Sequence, residues 1–148
     1  MRTGAVISAA GHSGLKSPFR PMLPVGDSTV IRRIIITLQQ AGIEPVVVIT
    51  GAMGDELEKH IAKLRVICLR NEQYESTQMF DSICIGLRYI APLCDQVLVL
   101  PAKYPMFLPD TVERLLKSGG QIACPVFDGR RGHPVLLSSR ILSRVISY

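Results

Sequence analysis

The chain has 148 residues, 47% hydrophobic and 20% charged, with a formal net charge of +5. That length fits one domain, and the composition supports a packed core and excludes intrinsic disorder. No apolar run reaches the roughly 18 residues of a membrane span, and the first residues lack the order of a secretion signal, so a cytoplasmic protein with no membrane partner is expected.

The pI near 9.3 suits anionic ligands. The charges are scattered and not interleaved with aromatics, so no nucleic-acid partner is expected. Mean hydropathy is +0.28, as buried parallel strands with two apolar faces would give. The four cysteines, at 68, 84, 94 and 124, form no C-x-x-C pair and read as small core hydrophobes rather than disulfides or zinc ligands.

Residues 4–9, Gly-Ala-Val-Ile-Ser-Ala, read as a buried strand. Residues 28–42 read as a helix, capped by Ser28 or Asp27 and stopped by Gly42. A β-branched run at 45–50 predicts a second strand, Leu57, Ile61 and Leu64 a helix over 54–64, and residues 65–70 a third strand. Met79, Ile83, Gly86, Leu87 and Ile90 share a helical face over 78–91. A fourth strand at 96–101, a helix at 109–118 and a fifth strand at 121–127 follow. Residues 138–148 read as a helix just starting, so the chain is expected to be a fragment or to dock this helix on something else. Strands alternating with helices imply right-handed βαβ units, a mostly parallel sheet and helices on both faces, a three-layer α/β/α domain.

Ligands of such sheets sit outside the carboxyl ends of the strands. After the first strand, Ala9-Ala10-Gly11-His12-Ser13-Gly14 lets backbone N–H groups approach a phosphate, with Lys16 and Arg20 adding charge; an ordinary glycine-rich turn explains it equally well. Thr50 and Gly51 follow the second strand, where a plain turn is the simpler explanation. Asn71 to Ser82 is polar, either a capped loop or a stretch whose Asn71 and Ser82 contact a base or sugar. Lys103 follows the fourth strand, as a cleft cation or a solvated surface lysine. Arg130-Arg131-Gly132-His133-Pro134 is a basic turn.

In order, these pieces resemble the MobA-like nucleotidyltransferases of molybdenum-cofactor biosynthesis, their cytidylyltransferase branch above all. The family signature A-A-G-x-S-x-R-x-G-x-x-K-x-L-L-P is met by Ala9-Ala10-Gly11-His12-Ser13 and, in frame, by Met22-Leu23-Pro24. Val48-Ile49-Thr50-Gly51, Asn71, Ser82-Ile83, Gly86-Leu87, Leu100-Pro101-Ala102 and Arg131-Gly132-His133-Pro134 continue the match. The resemblance implies a Rossmann-like, nucleotide-diphospho-sugar transferase-like sheet. It also implies transfer of a nucleotide from a nucleoside triphosphate to a phosphorylated acceptor, with Mg²⁺ assisting. By position, Ala9, Ala10, Gly11, Ser13 and Gly14 would cradle phosphates, while Thr50, Gly51, Asn71 and Ser82 would lie near base and ribose. Arg131 and His133 would face the acceptor.

The catalytic positions depart from the pattern. Leu15 replaces the signature arginine, Ser17 its glycine and Arg20 its lysine; Lys103 stands where the metal-binding aspartate belongs. An ammonium repels the Mg²⁺ that a carboxylate recruits, so no metal ligand is expected, and Arg20 and Lys103 are the candidate catalytic cations. Three functions follow: a nucleotidyltransferase with altered chemistry, a non-catalytic nucleotide- or phosphate-binding domain, and an interaction domain that dimerises.

Overall fold

The apolar run near the N-terminus folds as β1 (Thr3–Ala9), and every residue of it is buried. Its neighbours are two more buried apolar strands, β4 (Val46–Thr50) and β6 (Gln96–Pro101). The computed structural model describes residues 2–11, 19–103, 109–117, 122–124, 126–127, 130–131 and 134–147. The remaining elements are β2 (Pro24–Val25), β3 (Ser28–Thr29), α1 (Val30–Gln40), α2 (Gly54–His60), β5 (Ile67–Arg70) and α3 (Met79–Ile90). They continue with α4 (Pro109–Lys117), β7 (Ile122–Ala123), β8 (Val126–Phe127), β9 (Arg130–Arg131), β10 (Val135–Ser138) and α5 (Ser139–Ser147). Among the described residues no helix is long and apolar enough to cross a membrane.

The main sheet runs β5-β4-β1-β6-β10-β7. β5, β4, β1 and β6 are parallel, while β10 is antiparallel to both its neighbours. Alternate residues of each central strand serve opposite layers. Ala5, Ile7, Val46, Val48, Leu98 and Leu100 pack under α1, α2 and α4, with Ile31, Ile34, Leu57 and Val112 filling that core. Val6, Val47, Ile49, Val97 and Val99 face the other way, under Ile83, Leu87 and Ile90 of α3. A Cβ on Gly86 would sit 2.5 Å from Val6 Cγ1, so glycine is what lets α3 lie this close to β1. The expected three-layer, mostly parallel architecture is therefore present.

Four local expectations are corrected. The helix over 28–42 is Val30–Gln40, and its N-cap residue Thr29 makes no side-chain capping bond. Ser28 is held in the β2–β3 hairpin instead, and the Val30 N–H donates to the Leu23 carbonyl at 3.0 Å, so backbone meets the need that Ser28 or Asp27 would have met. At its other end the Gly42 and Ile43 N–H groups return to the Gln39 and Leu38 carbonyls at 3.0 and 3.1 Å, a Schellman closure. The helix over 54–64 ends at His60, and turns carry Ile61 into the core.

The single strand at 121–127 is two: Ile122–Ala123 joins β10 and Val126–Phe127 pairs with Arg130–Arg131. Pro125, with no N–H to donate, falls between them. The strand Val135–Ser138, too short to show a period, went unpredicted. In α5, Leu142 is buried in the α3 layer, with Ile141 and Val145 packed against it.

Candidate functional site

From β1 the chain moves outward to β4 and β5, then returns to place β6 on the other side of β1. Beyond the carboxyl ends of β1 and β6 the two directions part, which leaves the crevice where open α/β sheets hold ligands. A cleft of about 210 Å³ lies there. Its base is Ser8, Ala9 and Gly11 from β1 and Pro101, Ala102 and Lys103 from β6. Gln78, Met79 and Ser82 at the start of α3 close one side, with Tyr74 and Thr77; Phe19, Arg20 and Pro21 close the other.

Backbone bonds fix the two strand exits. The Ala102 N–H donates to the Ser8 carbonyl at 2.9 Å, and the Ala52 N–H to the Ala10 carbonyl at 3.0 Å. Lys103 is thereby held at the mouth of the cleft, exposed, as is Arg20 opposite. Neither pairs with an acid among the described residues. Among the described residues, which include every acid of the chain except Asp128, no carboxylate lines the cleft. Asp81, one turn into α3, accepts the Gln78 N–H at 2.9 Å. No group of three or more His, Cys, Asp or Glu among the described residues is placed to hold a metal ion.

The loop before α3 is organised by Asn71, which is buried. Its N–H donates to the Thr50 carbonyl at 2.7 Å, and its amide donates to Thr77 Oγ1 at 2.8 Å and Ser82 Oγ at 3.0 Å. Its Oδ1 accepts the Gln73 N–H at 3.0 Å. Asn71 thus shapes the wall of the cleft through Thr77 and Ser82 and is not in it.

A second, more open depression of about 420 Å³ adjoins it beyond β4 and β5, lined by Gly51, Asn71 and Tyr74 with Asp55, Glu56, Arg70 and Glu72. Arg70 bonds Asp55 at 2.9 Å and also Glu58; the two carboxylates raise its pKa. A Cβ on Gly51 would meet Tyr74 Cβ at 2.7 Å and the Ala10 carbonyl at 2.9 Å, so the glycine serves this packing.

Of the residues the sequence singled out, Ala9, Gly11, Arg20, Ser82 and Lys103 meet in the cleft. Ala10 is buried behind it, and Thr50 is buried in neither depression, its hydroxyl without a partner among the described residues. Gly51 and Asn71 belong to the second depression. Arg131 lies in β9, opposite Val126. Ser13, Gly14, Leu15 and His133 lie outside the described residues. Phe19, Pro21, Thr77 and Gln78 were not foreseen; only the polarity of the 71–82 stretch hinted at the last two.

The cysteines take no part in the site. All four are free thiols, and burial raises the pKa of Cys68, Cys84 and Cys94.

With this geometry in hand, comparison with known proteins is decisive at one level. Residues 5–148 match the model of the MobA-like NTP transferase domain. The chain belongs to that family. Solved structures agree on the fold of this MobA-like domain. A nucleotidyl transferase from Methanothermobacter superposes with a TM-score of 0.81 at 22% identity, over 99% of this chain and 76% of that one. Rv0371c from Mycobacterium tuberculosis H37Rv, in complex with manganese, gives 0.82 at 19% identity, over 100% and 77%. A cytidylyltransferase from Leptospira borgpetersenii gives 0.71 at 20% identity, over 99% and 64%. No curated protein matches the chain.

Proposed function

We propose that this MobA-like domain binds the phosphates of a nucleotide, or of a similar phosphorylated small molecule, in the cleft between β1 and β6. The observation that carries the reading is the charge of that cleft: Arg20 and Lys103 at its mouth and, among the described residues, no carboxylate in its wall. Oxygen anions are what two unopposed cations and a strand-end backbone turn suit. Gly11 leaves room for them, since a Cβ there would touch nothing within 4 Å. Tyr74 and Gln78 offer an aromatic ring and an amide to the rest of the ligand.

Family membership supports a second reading, nucleotidyl transfer to a phosphorylated acceptor with release of pyrophosphate, of the molybdenum-cofactor type. The Mg²⁺ expected for that reaction does not fit the described residues, because a protein site for this hard ion uses at least one carboxylate and they supply hydroxyls, an amide and two cations.

Calorimetric titration with CTP, GTP and inorganic pyrophosphate tests the first reading; saturable heat with at least one of them, reduced in Arg20→Ala, is the expected result. Absence of heat with all three counts against it. A coupled pyrophosphate-release assay with a molybdopterin-type or sugar-phosphate acceptor decides the second, which a rate no higher than the no-enzyme blank would sink.

A further inference from the structure

We infer that the phosphate ligand of this cleft enters free of divalent metal, and that Lys103 supplies in a single ammonium the charge a metal–carboxylate pair would otherwise supply. This rests on the phosphate-binding reading above and goes beyond it, since that reading leaves the ionic state of the ligand open.

Position comes first. Pro101 is in register with Ser8, Ala102 is buried, and its N–H is tied to the Ser8 carbonyl. Residue 103 is therefore presented at the cleft mouth whatever its side chain is. In this chain it is a cation, with Arg20 across the opening.

Donor chemistry comes second. Among the described residues, the polar side chains in the wall, apart from those two cations, are Ser8, Tyr74, Thr77, Gln78 and Ser82. Two of them are engaged: Thr77 Oγ1 donates to the Gln73 carbonyl at 2.8 Å, and Thr77 and Ser82 both receive the Asn71 amide. Neutral hydroxyls and one amide cannot offset the repulsion between a divalent ion and two fixed cations.

Charge balance decides the sign of the metal effect. A nucleoside triphosphate complexed with Mg²⁺ has lost two units of negative charge, which weakens its attraction to Lys103 and Arg20. Free ligand and metal complex therefore compete for the cleft in favour of the free form. Mg²⁺ should act here as an antagonist of binding.

The test is a calorimetric titration of CTP, GTP and pyrophosphate into the full chain, once with EDTA and once with excess Mg²⁺. The expected result is binding in EDTA that weakens about threefold or more in Mg²⁺, with Lys103→Ala lowering the EDTA affinity about tenfold. Lys103→Asp should reverse the order, so that Mg²⁺ strengthens binding. Lys117→Ala, an exposed charge change on α4, should alter neither, which separates a site from a general effect of net charge. Circular dichroism of each variant guards against misfolding, as position 103 is exposed. Binding that requires Mg²⁺ in the wild-type chain would overturn the inference and leave the phosphate reading standing. No binding of any probe would overturn both. A Lys103→Ala protein that binds as tightly as wild type, or a Lys103→Asp protein still weakened by Mg²⁺, would remove Lys103 from the role.

Discussion

Two depressions lie side by side at the carboxyl end of one sheet, and they use charge in opposite ways. Beyond β4 and β5, Arg70 is met by Asp55 and Glu58, and Asn71 spends its amide on the loop that carries it. Beyond β1 and β6, Arg20 and Lys103 line an opening with no acid in its wall among the described residues. In the first, the one arginine of the lining is paired with acids; in the second, two cations lie at the switch in strand order with no acid partner among the described residues. What distinguishes the two is whether the cations are already paired.

The largest effects should come from the wall beyond β4 and β5, as losses of stability. Gly51→Ala would force a Cβ into Tyr74 and the Ala10 carbonyl, and is expected to cost about 1–3 kcal/mol in a urea denaturation curve. Asn71→Ala would leave the Ser82 hydroxyl buried without its donor and release Gln73 and Thr77, a loss of about 2 kcal/mol. If Asn71→Ala were as stable as wild type yet bound CTP much less well, the two depressions would have to be redrawn as one site.

The cleft beyond β1 and β6 should show the reverse pattern. Arg20→Ala is expected to leave the denaturation midpoint unchanged while weakening CTP binding about tenfold, roughly 1.4 kcal/mol. A midpoint shift comparable to that of Asn71→Ala would mean that Arg20 is structural after all.

How far the sequence reaches follows the same division. The apolar runs at 4–9, 45–50 and 96–101 announce buried parallel strands because burial on both faces leaves no alternation to misread. Residue order around Gly11 and Lys103 likewise located the cleft, because strand ends are where such sheets bind. What stayed hidden depends on pairing over long distances. Val135–Ser138 is a strand only because β6 offers its edge, and Ser28 leaves the helix only because Pro24–Val25 pairs with it. A buried hydrogen-bond hub and a binding residue have the same side chain, so sequence alone leaves both readings of Asn71 open; its partners Thr77 and Ser82 are set by the turn between them.

Smaller effects are expected where the scaffold is exposed. Arg70→Ala breaks ion pairs at the surface, so its melting temperature should fall only slightly, and the difference from wild type should shrink as salt is raised. CTP binding should not change. A loss of affinity without loss of stability would place Arg70 with the cations of the cleft.

The smallest effect concerns His60, which lines neither depression. Its Nε2 is 2.7 Å from the Thr29 hydroxyl, joining the end of α2 to the entry of α1. Burial, and next the charge of Arg32, lower its pKa from the ordinary value of 6.5. The folded chain therefore holds this proton less readily than the unfolded one. Linkage gives the sign: His60 adds stability above pH 6.5, and that increment is lost as the pH falls from there through the folded value. Carboxylates also lose stability in acid, but lower on the scale, so the informative quantity is the difference between wild type and His60→Gln. That difference in melting temperature should be constant above neutrality and change only below about pH 6.5. The affinity for CTP, measured over the same range, should not follow it. A binding curve that tracked His60 would show that the contact between His60 and Thr29 is coupled to the cleft.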